Sequence, residues 1–346
     1  MRRLLILLVL LPVFIIPVTA AEFTAPEAPD EVQDLMPAQT ETFGEGLWKV
    51  ICAAVDKLHP QISKAGKTCI MLVAIALLVS ILQQIPTEKN NIVEFAGCTA
   101  VGVMLLDNAG SMIQTAVDTI NSLSEYGKLF FPVMAGAQAA QGGFTSSAAL
   151  YTGTIAFDAI LGKVISQWMV PLVYMYLALS VAGCALGEDL LKRLRDLIKW
   201  FVTWCLKNGL YIFTGYLSIT GVVAGATDAA KLKATKLTIS SAVPVVGGIL
   251  SDASEAVLVG AGMVKSAAGI YGLLAIMAIW ISPFLQIGIQ YLMLKIAGAL
   301  CAMLDAKRVS SLIDSFSTAM GFLLGMTGVM CVLLLISTVC FMRGVG

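Results

Sequence analysis

The sequence predicts an all-α polytopic integral membrane protein, with about six to eight transmembrane helices after an N-terminal signal. Amphipathic interfacial helices and a re-entrant segment complete the expected architecture. Three observations carry this. The chain is 58% hydrophobic and 13% charged, with mean hydropathy +0.88, whereas a soluble domain carries about 25% charged residues. Apolar runs of span length recur along it. Its first residues, "MRRLLILLVLLPVFIIPVTAAEF", place two arginines before an apolar core and small residues at Ala20 and Ala21, the pattern of a secretory signal.

Cleavage would leave residues 1–21 as the signal. Pro12 and Pro17 in a long apolar stretch keep an uncleaved anchor as the alternative, which changes the span count by one. Residues 22–65 form an extracytoplasmic unit. Glu22 to Glu45 hold seven acidic residues and no basic one, with Pro26, Pro29 and Pro37, a composition that favours a flexible arm. Leu47, Trp48, Ile51, Cys52, Val55 and Leu58 then recur at helical spacing, predicting a short amphipathic helix limited by Pro60.

Residues 66–346 form the polytopic membrane domain. "GKTCIMLVAIALLVSILQQI", Gly66 to Ile85, is the first clear span, and Ile92 to Leu106 the second. Met112, Ile113, Ala116, Val117, Ile120 and Leu123 line one face of a following helix, which reads as amphipathic and not spanning. Residues 129–167 offer two weak runs around "QGGFTSS", either two short spans or one hairpin. Trp168 to Gly187 is a clearer span. In "EDLLKRLRDLIKW", an apolar stripe opposes Lys192, Arg193, Arg195 and Lys199. A basic helix at the anionic inner leaflet and a lead-in to the next span both fit that pattern. By the positive-inside rule it is the best cytoplasmic marker. Phe201 to Val223, Val257 to Ile281, Ser282 to Leu304 and Thr318 to Phe341 supply further spans, with a hairpin or a kink near Pro283. Lys231, Lys233 and Lys236 compete with the 188–199 marker, so charge does not fix every loop.

Chemistry is sparsely written. The 22 basic and 22 acidic residues balance, giving no concentrated basic face for nucleic acid. His59 is the only histidine, and no HExxH, CxxC, GxSxG or Walker A sequence occurs. No enzyme activity, cofactor or metal is therefore expected. The eight cysteines, at 52, 69, 98, 184, 205, 301, 331 and 340, mostly sit in or beside apolar runs and read as buried thiols. Asp158 lies within an apolar run and is the candidate polar membrane site, because a carboxylate at that depth must face protein or water.

Gly221 with Gly225, and Gly321 with Gly325, form GxxxG pairs that permit close helix approach within one chain or in a homo-oligomer. In "TISSAVPVVGGILSDASE", residues 238–255, Pro244 removes a backbone donor and Gly247 and Gly248 permit a bend. A re-entrant or protein-buried connection fits this stretch better than a lipid-exposed loop. A secondary transporter with broken helices, an assembled channel and a scaffold all remain open on these residues alone.

The block "YIFTGYLSITGVVAGATDAAKLKATKLTISSAVPVVGGILSDASEAVLVGAGMVKSAAG", residues 211–269, closely resembles the signature region of the stage III sporulation protein AE family. The likeness extends to the signal, acidic arm, polytopic body and apolar carboxyl end. What the resemblance implies is a non-enzymatic component of a secretion-like channel complex between mother cell and forespore. It would reside in the mother-cell membrane, later the outer forespore membrane. The implied partners are other stage III sporulation operon proteins, including a separate secretion-type ATPase and ring-forming intermembrane components, and a forespore-side protein. The resemblance supplies no catalytic residue. A secondary transporter for an unidentified small solute is the alternative.

Overall fold

The computed structural model describes residues 25–36, 43–83, 90–140, 144–186, 190–242 and 247–343; side chains at 218, 220–242, 247–266 and a few helix ends are outside the description. The elements are α1 (Asp30–Gln33), α2 (Phe43–Asp56), α3 (His59–Gln83), α4 (Asn90–Ala140), α5 (Phe144–Val164), a π-helical turn (Ile165–Met169), α6 (Val170–Leu186), α7 (Leu190–Ala242), α8 (Gly247–Met303) and α9 (Lys307–Arg343). All regular structure among the described residues is helical.

The helices are longer than the spans read from hydropathy. The 51 residues of α4 reach about 75 Å at 1.5 Å per residue, against ~30 Å of bilayer hydrocarbon. The expected span 92–106 and the separate amphipathic helix after it are thus one continuous helix. Neither Asp107 nor Gly110 interrupts it, and it runs through Pro132. Likewise, 257–281 and 282–304 are not two spans joined by a hairpin, because α8 continues through Pro283. A proline removes one backbone hydrogen bond and crowds the preceding turn, yet a long apolar helix can run on through it. Here Trp280 and Phe284 pack their rings 4.1 Å apart around it.

Residues 144–186 form one rod, α5 to α6, whose π turn absorbs an extra residue and rotates the following face. Residues 190–199 of the basic stretch open α7, which runs on without interruption through the expected span 201–223, although α7 is not among the described helices long and apolar enough to cross a membrane. Five helical stretches among the described residues are long and apolar enough to cross a membrane: His59–Gln83, Ile92–Ala140, Ser147–Leu186, Ala267–Met303 and Lys307–Met342.

α9 lies, together with α8, at the centre of the bundle. It packs most extensively on α8, and also on α4, α5, α6 and α7. Its buried face includes Ile313, Phe316, Leu323, Met326, Met330 and Phe341, a helical repeat that meets neighbours on several sides. Around it, α4 pairs with α5 and α3 with α8.

The amino-terminal unit lies against this bundle. Ala28 and Leu35 are buried, and the Ala28 N–H donates to the Tyr271 hydroxyl at 3.4 Å. The expected arm is therefore seated on the bundle over 25–36, because its few apolar residues are spaced to reach α8. In α2 the buried positions are Gly46, Val50 and Ala54, of which Val50 and Ala54 cluster with Ala278 and Ile281 of α8. Trp48 and Val55, from the predicted apolar stripe, are exposed instead. The signal at 1–21 lies outside the described residues.

Candidate functional site: a polar seam in the helix core

Asp158 sits on α5 and is 2% exposed. The Ser124 hydroxyl of α4 donates to its Oδ2, while Oδ1 has no hydrogen-bond partner among the described residues. One turn earlier on α5, Thr154 donates to Ser337 of α9 at 3.1 Å, with both side chains fully buried. Three helices thus contribute to one polar seam, since residues four apart stack on the same helix face. The Tyr126 hydroxyl and Gln138 Oε1 are further buried polar atoms without hydrogen-bond partners among the described residues. Tyr126, Phe130, Phe131 and Phe341 form a chain of ring contacts, with centroids 5.6 to 5.7 Å apart.

This arrangement offers one carboxylate and several hydroxyls. It can hold a polar contact between helices in a low-dielectric setting, where an unmet oxygen is costly. Among the described residues no three His, Cys, Asp or Glu side chains are grouped to hold a metal ion.

The other sequence-predicted residues scatter. A Cβ on Gly321 would lie 3.7 Å from Tyr291 of α8, and one on Gly325 would lie 3.2 Å from Leu206 of α7. Both glycines of this GxxxG pair thus face neighbours within the chain. Gly221 and Gly225 fall within α7, and Gly247 and Gly248 open α8; their surroundings are outside the description. Pro244 lies outside the described residues, as do all of 243–246, on which the re-entrant reading depends.

The basic cluster divides. Lys192, Arg193 and Lys199 are exposed, but Arg195 turns into the bundle, where its Nη1 donates to Ser315 of α9 at 3.0 Å. Arg195 therefore does not share the solvent-facing surface expected of all four. On the outer side of α7, Trp200 stacks on Trp204 with both rings more than half exposed.

Sequence reasoning missed Ser124 and Ser337, because single serines in apolar helices carry no pattern. It also missed a cross-link: Cys98 of α4 and Cys184 of α6 form a disulfide across 86 residues. The expectation of eight buried thiols is corrected on that pair, and Cys52 is exposed. Pairing depends on which helix ends meet, which spacing alone does not reveal.

The profile of the family described as stage III sporulation protein AE matches residues 31–344. The chain belongs to that family. A curated relative, stage III sporulation protein AE of Bacillus subtilis (strain 168), is 22% identical over 271 residues, covering 77% of this chain and 68% of the relative. No solved structure matches. Family membership makes this a sporulation-related protein, and its five long apolar helices fit a multi-pass membrane protein. The matched range takes in α2 and all of α1 but Asp30, so the helix that packs on Ala278 and Ile281 is part of the stage III sporulation protein AE body.

Proposed function

We propose that this protein is a non-enzymatic membrane component of the secretion-like channel complex that joins mother cell and forespore during endospore development. It would sit in the mother-cell membrane that becomes the outer forespore membrane. It would work there with other stage III sporulation operon products: a separate secretion-type ATPase, ring-forming intermembrane proteins and, across the intermembrane space, a forespore-side partner. The observation that carries this reading is the family match over 31–344, nearly the whole helical body. The long apolar helices support a membrane role, and the isolated carboxylate at Asp158 fits packing better than catalysis.

The test is deletion of the gene in its endospore-forming host. The expected result is loss of complex assembly and of late forespore-specific transcription, restored by the full chain. Normal assembly and conduction without the protein would overturn the proposal.

One observation favours a second reading, transport of a small solute: the unpartnered Oδ1 of buried Asp158. Liposomes carrying this chain alone would then take up members of a labelled solute panel, and Asp158→Asn would abolish uptake. The assembly role predicts no uptake.

A further inference from the structure

One end of the bundle gathers cations from separate helices. The reversal from α8 to α9 is tight: the Asp305 N–H donates to Ala302 O and the Ala306 N–H to Cys301 O, both at 3.2 Å. Asp305 has φ 60°, so this is a Schellman turn with aspartate at the left-handed position that usually takes glycine. It sets Lys307 and Arg308 in the first turn of α9, where unpaired amides and the helix dipole already favour an anion. Arg195 arrives from α7, and Gly183 of α6 leaves room beside it: a Cβ there would stand 4.0 Å from Arg195 Nη2.

Between these helices lies a cavity of about 220 Å³, whose lining includes Ser180, Arg195, Lys307, Arg308 and Ser311. Two of its cations have acidic partners. Arg308 Nε meets Glu94 at 2.8 Å, and Lys307 meets Asp305 at 3.2 Å on the surface. Arg195 has no carboxylate partner among the described residues, and its Nε is buried with no hydrogen-bond partner. The site therefore holds one guanidinium in excess, with an unmet donor, beside a helix N-terminus.

We propose that this cavity binds a phosphate group, presented by an anionic phospholipid headgroup or by a soluble phosphate. A planar guanidinium matches phosphate oxygens in pairs, and basic pockets between membrane helices capture lipid headgroups. The position suits the lipid source. Gly183 and Cys184 in its lining stand near the end of the apolar stretch Ser147–Leu186, so the cavity lies where a long apolar helix ends.

The test uses the full chain in neutral detergent, with bound lipid counted by native mass spectrometry and thermal stability followed during titration. The probes are phosphatidylglycerol, phosphatidylcholine and inorganic phosphate. Phosphatidylglycerol should be retained over phosphatidylcholine, and Arg195→Gln should weaken it by about fivefold, the weight of one surface cation. Lys192→Gln and Arg193→Gln, on the exposed face, should leave retention unchanged. Stabilisation by inorganic phosphate alone, lost in Arg195→Gln, would support the site with a soluble ligand. Should Arg195→Gln fail to fold, Lys307→Gln carries the same comparison from an exposed side chain. Equal retention of both lipids with no response to phosphate would overturn the proposal. So would an Arg195→Gln or Lys307→Gln protein that behaves like Lys192→Gln.

Discussion

At the scale of single residues, the core tests are Ser124 and Gly272. Ser124→Ala removes the only hydrogen bond that Asp158 makes among the described residues. Interhelical hydrogen bonds in membranes contribute about 0.6 to 2 kcal/mol, and a stability loss in that range is expected in detergent unfolding. Gly272 differs from Gly110 only in its neighbour. A Cβ at Gly272 would run into the Phe130 ring, while one at Gly110 meets nothing within 4 Å. Phe130 is fully buried and has little room to yield. Gly272→Ala should therefore lower stability by about 1–2 kcal/mol from overpacking, whereas Gly110→Ala should raise it by roughly 0.5–1 kcal/mol through helix propensity. Paired thermal unfolding of the two variants checks the contrast.

Among elements, the junction of α4, α6 and α9 invites a chemical test. Cys98–Cys184 ties α4 to α6, and Glu94–Arg308 ties α4 to α9. The basic opening of α7 follows α6 directly, and the positive-inside rule assigns such a segment to the cytoplasm, which keeps thiols reduced. The expected outcome is a dithiol in cells that closes to the disulfide on purification in air. Alkylation before lysis and after purification, read by peptide mass spectrometry, distinguishes the two states. Protection of Cys98 and Cys184 from alkylation in living cells would place that end in an oxidising compartment. Exposed Cys52 should label in the folded protein, and buried Cys301 and Cys331 should not.

For the whole molecule, α9 holds the fold because five other helices pack on it. Its glycine pair faces Tyr291 and Leu206 of the same chain, and the expected role is in folding before any assembly. Gly325→Leu should lower the unfolding temperature of the purified protein without first dissociating an oligomer. Light scattering during thermal unfolding checks the order of events. A variant that dissociates while still folded would mean that the pair serves contacts between copies.

Composition and hydropathy by themselves determined the membrane class, the all-helical body and the non-random placement of Asp158, because burial in lipid demands long apolar helices and penalises a lone carboxylate. The signature block at 211–269 similarly pointed to the family. Helix continuity was not legible: Pro132, Pro283 and the polar step at Asp107 look like breaks in a linear chain, yet the two helices that hold them run on through all three. The direction of Arg195 was hidden for a related reason. On an isolated helix it belongs with Lys192, Arg193 and Lys199, and only α9, by offering Ser315, turns it inward. Partnerships such as Ser124 with Asp158, Cys98 with Cys184, and Arg195 with Ser315 join residues distant in sequence. They are fixed by which helix faces meet, a property that no local pattern encodes.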